Sequence, residues 1–130
     1  MRLLYKVNNK ELGVVMVKRD GSYEYVVNKN MRGGVGEVKI EHLLTPDELY
    51  NKGRLFARIT INSGSSIGYH IHEGEMESFY IVSGTAKISD NEIDLEVGEG
   101  DTVLTKNGMG HSVESIGNNA LVMIALIVFD

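Results

Sequence analysis

A chain of 130 residues, 42% apolar and 24% charged, has length for one domain with one hydrophobic core, and its composition excludes a disordered polymer. Thirteen basic against eighteen acidic residues give a net charge of -5 with no lysine- or arginine-rich run, which argues against nucleic acid as a partner. The absence of cysteine excludes disulfides, thiolate zinc sites, iron-sulfur clusters and cysteine nucleophiles, so any metal must be held by nitrogen and oxygen.

The opening residues carry a short apolar patch without the long apolar core of a secretory signal, so a cytoplasmic protein with no membrane partner is expected. Fifteen glycines and a single proline punctuate many short alternating or β-branched runs, which predicts an all-β fold. Leu12 to Val17 and Tyr23 to Val27 flank Asp20-Gly21, a pair that tolerates positive φ and predicts a hairpin. Met31-Arg32-Gly33-Gly34-Val35-Gly36 lacks the Lys-Ser/Thr ending of a phosphate-cradling loop and is read as a mobile loop or lid. Val38, Ile40, His42 and Leu44 alternate with charged residues, as one face of a half-buried strand does. Without a ligand-spaced neighbour, His42 is assigned a hydrogen-bonded packing role. Thr45-Pro46-Asp47-Glu48 predicts a short helix with a capping box, ended by Gly53.

From Leu55 onward the pattern is strand and turn: Leu55 to Ile61, Tyr69 to His72, Glu77 to Val82, Thr85 to Ser89, Glu92 to Val97, Thr102 to Thr105, His111 to Ile116 and Leu121 to Phe129. The apolar run Ala120 to Phe129 is ten residues long, half of the roughly 20 a membrane-crossing helix needs, and reads as a buried strand.

The chemistry concentrates in the second half. His70-Ile71-His72 places two imidazoles on one strand face with origins about 6.5 Å apart, so both can reach one ion. After the turn Glu73-Gly74-Glu75, Glu77, Phe79 and Ile81 share a face; pairing of this strand with the histidine strand would bring the Glu77 carboxylate beside both rings. Phe79 is therefore a candidate pocket residue. Glu73 and Glu75 are read as solvated turn residues, a rim general base being the alternative. A third imbidazole donor is available from His111. Three nitrogens and one carboxylate suit one divalent ion of manganese, iron, nickel, cobalt, copper or zinc, and an octahedral ion so held keeps two positions for water or substrate. Arg58 is a pocket candidate if it points inward, where it can grip a carboxylate, but Leu55, Ala57, Ile59 and Ile61 facing the core would leave it solvated.

The run from Gly64 through His70, His72 and Glu77 to Gly84 resembles the first motif of the cupin superfamily at every fixed position: glycine, five residues, His-x-His, four residues, Glu, six residues, glycine. Gly100 to Ser115, with Gly108, Gly110 and His111, is similar to the second, departing at Lys106, where the family usually has proline, and at Ser115, where it usually has asparagine. The resemblance implies a small single-domain member spanning residues 1–130. Its fold would be a double-stranded β-helix (jelly-roll) barrel with one short helix, the core barrel over 54–130 and N-terminal strands, loop and helix over 1–50. It also implies His70, His72, Glu77 and His111 as metal ligands, and a homodimer. Decarboxylase, dioxygenase and isomerase chemistry all occur in similar proteins, so a metal-dependent enzyme acting on a small carboxylate- or oxygen-chelating molecule is expected. A noncatalytic binding or sensing module in the same pocket is the alternative.

Overall fold

The computed structural model of the protein describes residues 16–130, together with the strand pairing of three short segments before them. Along the chain the strands are β1 (Arg2–Leu3), β2 (Lys6–Val7), β3 (Lys10–Glu11), β4 (Val17–Lys18), β5 (Tyr25–Lys29), β6 (Glu37–Leu44) and β7 (Gly53–Ile61), followed by β8 (Ser66–Ile71), β9 (Glu75–Ser83), β10 (Thr85–Ser89), β11 (Asp94–Gly98), β12 (Thr102–Thr105), β13 (Gly110–Ser115) and β14 (Leu121–Phe129). Two antiparallel sheets, ordered β11-β10-β13-β8 and β12-β9-β14-β7-β6-β5, pack their inner faces together in the all-β class the alternation predicts and as the barrel the resemblance implies.

The period-two pattern decides which side chains fill the barrel. In β14, Leu121, Met123, Ala125 and Ile127 are buried while Val122, Ile124, Leu126 and Val128 alternate with them at intermediate exposure. β9 buries Phe79 and Ile81 and, on the same face, Glu75 and Glu77. Burying each large apolar side chain contributes about 1.5–3 kcal/mol. The interior is thus aliphatic along most of its length and turns polar at one end, where Thr105, His72 and His111 join the two carboxylates. No helix among the described residues is long and apolar enough to cross a membrane.

Three expectations are corrected. The segment at Thr45 is a hydrogen-bonded turn rather than a helix. Its capping box does form, with Thr45 N–H donating to Glu48 Oε1 at 2.8 Å and Glu48 N–H to Thr45 Oγ1 at 3.2 Å. Tyr50 and Asn51 then take left-handed φ of 54° and 55°, which a right-handed helix cannot continue through. Asp20-Gly21 does turn, closed by Ser22 N–H to Arg19 O at 3.1 Å, but β4 pairs with β1 and β5 with β6, so the described residues form no hairpin across it. Leu12 to Val15 of that expectation lie outside the described residues.

The glycine-rich segment is not a free lid. A 3-10 turn at Met31–Gly33 leads into a stretch pressed against β8, where Ser66 N–H donates to Val35 O at 2.8 Å and Val35 N–H to Ser66 Oγ at 3.0 Å. A Cβ on Gly34 would stand 2.3 Å from Ser66 O, and one on Gly68 2.1 Å from Arg32 O, so only glycine permits this approach. The segment covers the edge that β8 would otherwise leave open.

Arg58 is also turned away from the interior. Ala57, Ile59 and Ile61 take the inward positions, so Arg58 lies on the outer face. There Nε and Nη2 bind the buried Glu41 carboxylate at 2.8 and 2.9 Å, and Nη2 binds Asp20 at 2.7 Å. The guanidinium hydrogen bonds hold the Glu41 carboxyl below its ordinary value. A depressed carboxyl stabilises the fold above its unfolded pKa, and that contribution is lost as pH falls through the folded value. Arg58→Met should therefore cost about 1–3 kcal/mol near pH 7. Urea unfolding checks this: the penalty should fade towards pH 3, and an equal penalty at both pH values would contradict the pairing.

Candidate metal centre

His70 lies at the end of β8 and His72 just beyond it, tied to the following turn by His72 N–H to Met109 O at 2.9 Å and Gly108 N–H to His72 O at 2.6 Å. β13 runs antiparallel to β8 with His111 directly opposite His70, so three imidazoles enter the barrel from one sheet. Their centroids lie 4.7 to 5.1 Å apart at interplanar angles of 73° to 82°. Glu77 comes from the other sheet. β9 pairs with β12 and β14, not with the histidine strand as the sequence suggested, and the carboxylate meets the rings across the barrel interior. Glu77 Oε1 is 2.9 Å from His72 Nε2 and 3.1 Å from His111 Nε2, and the two Nε2 atoms of His111 and His70 are 3.2 Å apart.

The outer nitrogen of each ring is engaged. His70 Nδ1 donates to the Gly68 carbonyl at 2.8 Å, and His72 Nδ1 donates to Glu75 Oε2 at 2.7 Å. Both acceptors force the proton onto Nδ1 and leave the Nε2 lone pair facing inward. His111 Nδ1 lies 2.7 Å from Thr105 Oγ1, which accepts in the arrangement that matches the other two. Lone pairs of imidazoles so close repel unless a cation lies between them, and His72 Nε2 is buried without a hydrogen-bond partner. An ion bonded at about 2.1 Å separates neighbouring octahedral ligands by about 3.0 Å. The observed spacings match this, and the four ligand atoms all lie within 4.8 Å of one another, so the cluster can hold a metal ion. Burial lowers the His70 pKa, which favours the neutral, ligating ring.

The sequence reading missed the support behind these residues. Glu75, expected in solvent, is buried and clamped by Arg54, with Nε to Oε1 at 2.6 Å and Nη2 to Oε2 at 2.7 Å. Arg54 and then His72 hold its carboxyl down to about 2. The signal was present: Glu75 and Glu77 are two apart, hence on one strand face. Arg54 gave no such signal, because its partner lies 21 positions away, and Thr105 gave none because it lies on a neighbouring strand from His111, joined to it by a turn. Phe79 packs behind the cluster, stacked on the His111 ring at 5.2 Å and 27°. His42 is away from it, lining an open cavity of about 340 Å³ with Lys18, Tyr23 and Glu48.

At Lys106 the turn closes without proline. Met109 N–H reaches Lys106 O at 3.1 Å, and Asn107 accepts from Gly74 N–H and donates to Asp130, both at 2.7 Å.

Similarity to known proteins agrees with this geometry. An oxalate-binding protein of Thermotoga maritima is 43% identical over 116 residues, which cover 89% of this chain and 96% of that protein. The crystal structure of a predicted oxalate decarboxylase from Thermotoga maritima superposes with a TM-score of 0.85 at 43% identity, over 88% of this chain and 100% of that one. The Cnp3 cupin domain of Schizosaccharomyces pombe shares the fold at 13% identity, with a TM-score of 0.66 over 89% and 79% of the two chains. A family model described as Cupin domain matches residues 57–129, the stretch that holds all four converging side chains, and the chain belongs to the cupin family.

Proposed function

We propose that this cupin holds one divalent metal ion through the Nε2 atoms of His70, His72 and His111 and the Glu77 carboxylate, and acts with it on a small carboxylate- or oxygen-chelating molecule. The observation that carries the proposal is the convergence of three inward lone pairs and one carboxylate oxygen at ligand spacing, with His72 Nε2 otherwise orphaned. Bound there, a divalent ion polarises a carbonyl or carboxylate oxygen and stabilises negative charge developing beside it. The chain's own contribution is orientation. Gly68, Glu75 and Thr105 fix the three rings, Phe79 backs His111, and the aliphatic interior keeps water from the buried side of the cluster.

Chelator competition tests the ligand set. His72→Ala and Glu77→Ala should each lower metal affinity at least tenfold, and Glu75→Ala, which frees the His72 ring, by about 10–100-fold. Wild-type affinity in both His72→Ala and Glu77→Ala would refute the assignment.

The names of the relatives support oxalate or a similar acid as ligand, and they favour two readings. A decarboxylase would release carbon dioxide and an oxygenase would consume oxygen. The module reading, supported by the relative described as oxalate-binding, requires tight binding without turnover. Carbon dioxide release, oxygen uptake and the identity of the recovered acid, followed for the manganese-loaded protein over a panel of small acids, separate them: release, uptake or isomerised acid establishes the enzyme, and binding with the acid recovered unchanged establishes the module.

Pairing of two copies belongs to the same proposal. Tyr80, Val82 and Leu104 lie exposed on the outer side of the six-stranded sheet, an apolar surface of the kind that association covers. Light scattering should give twice the 14.4 kDa chain mass, and a monomer mass would overturn the pairing.

A further inference from the structure

The two sheets do not close at their β11 and β12 edges. Leu95 pairs directly with Ile88 and so points to the barrel side, yet Ile88 is 8% exposed and Leu95 60%. The gap is an open cavity of about 150 Å³ whose walls include Ile88, Ile93, Leu95, Val103 and Met109. At its inner end stands one of the four converging side chains. His111 lines it, as does Thr105, which holds His111 Nδ1, and the Met109 carbonyl in its wall holds the His72 backbone.

The wall is aliphatic and carries no cation among the described residues that line it. Asp90, its one acidic residue, is turned to the backbone, accepting from Ile93 N–H at 2.8 Å and Glu92 N–H at 3.0 Å. An oxalate dianion and a 2-oxo acid offer a metal the same chelate of two oxygens on adjacent carbons. They differ in one substituent, an oxygen bearing charge in oxalate and a carbon chain in the 2-oxo acid. An aliphatic wall penalises the first and favours the second.

Resting on the metal reading above, we infer that the ligand of this centre is a small acid with a 2-oxo-carboxylate head on the ion and a short aliphatic tail in the cavity between β11 and β12. At roughly 30 Å³ for the space of one water, the cavity has room for about five heavy atoms between its walls.

Calorimetric titration of the manganese-loaded full chain with oxalate, 2-oxopropanoate, 2-oxobutanoate and 2-oxopentanoate tests this. The 2-oxo acids share one head, so differences among them report the tail alone. Affinity should rise about three- to fourfold for each added methylene. Leu95→Ser and Ile93→Ser, at positions 60% and 59% exposed and so outside the packed core, should each shrink that gain. A flat or falling series, or a gain that persists undiminished in both variants, overturns the inference. If oxalate or 2-oxopropanoate binds and methylenes add nothing, the metal reading stands and the tail alone is refuted. If manganese is not retained, or no acid binds, both fall together.

Discussion

Four polar side chains meet inside an aliphatic barrel, and the surrounding structure is arranged around that meeting. His72, Glu77 and His111 are almost wholly buried, and burying such groups is costly unless each finds a partner. Their outer atoms do: a carbonyl, a carboxylate and a hydroxyl take the three Nδ1 positions. Their inner atoms face one another at 2.9 to 3.2 Å, a geometry that a shared cation stabilises and that three neutral lone pairs by themselves do not.

The two sheets have unequal parts in this. The four-stranded sheet supplies all three imidazoles from neighbouring strands, and the six-stranded sheet supplies the carboxylate from its own interior face. The distance between sheets therefore sets the fit of the site. The polar residues form a sequence from surface to centre, with Arg54 half in solvent, Glu75 beneath it, His72 beneath that and the cluster at the end. A charged pair at the rim is in this way coupled to the orientation of a ring in the interior.

The edges of the barrel are treated differently at its two sides. At β8 the glycine-rich segment lies along the strand so closely that side chains at Gly34 and Gly68 would collide with backbone, and Gly68 also supplies the carbonyl that orients His70. At β11 and β12 none of the described residues covers the opening, and inward-facing leucine and isoleucine remain exposed beside His111. The β8 edge beside His70 is thus covered, and the edges beside His111 stay open.

The positions of most strands along the chain, the all-β class and the four converging residues were legible in the sequence, because alternation with period two and the His-x-His and glycine spacings are local properties that survive folding unchanged. Thr85 to Ser89, Thr102 to Thr105 and Leu121 to Phe129 agree with the observed strands to the residue for that reason. What tertiary structure decided was everything that depends on which strands become neighbours. Glu77 reaches the histidines across the barrel and not along a shared sheet; Arg58 takes the outer face because Ala57 and Ile59 take the inner; Arg54 and Glu75 meet across 21 positions of chain. A strand's sequence states which residues share a face, but the side that face takes, and the partner it meets there, are properties of the packed sheets alone.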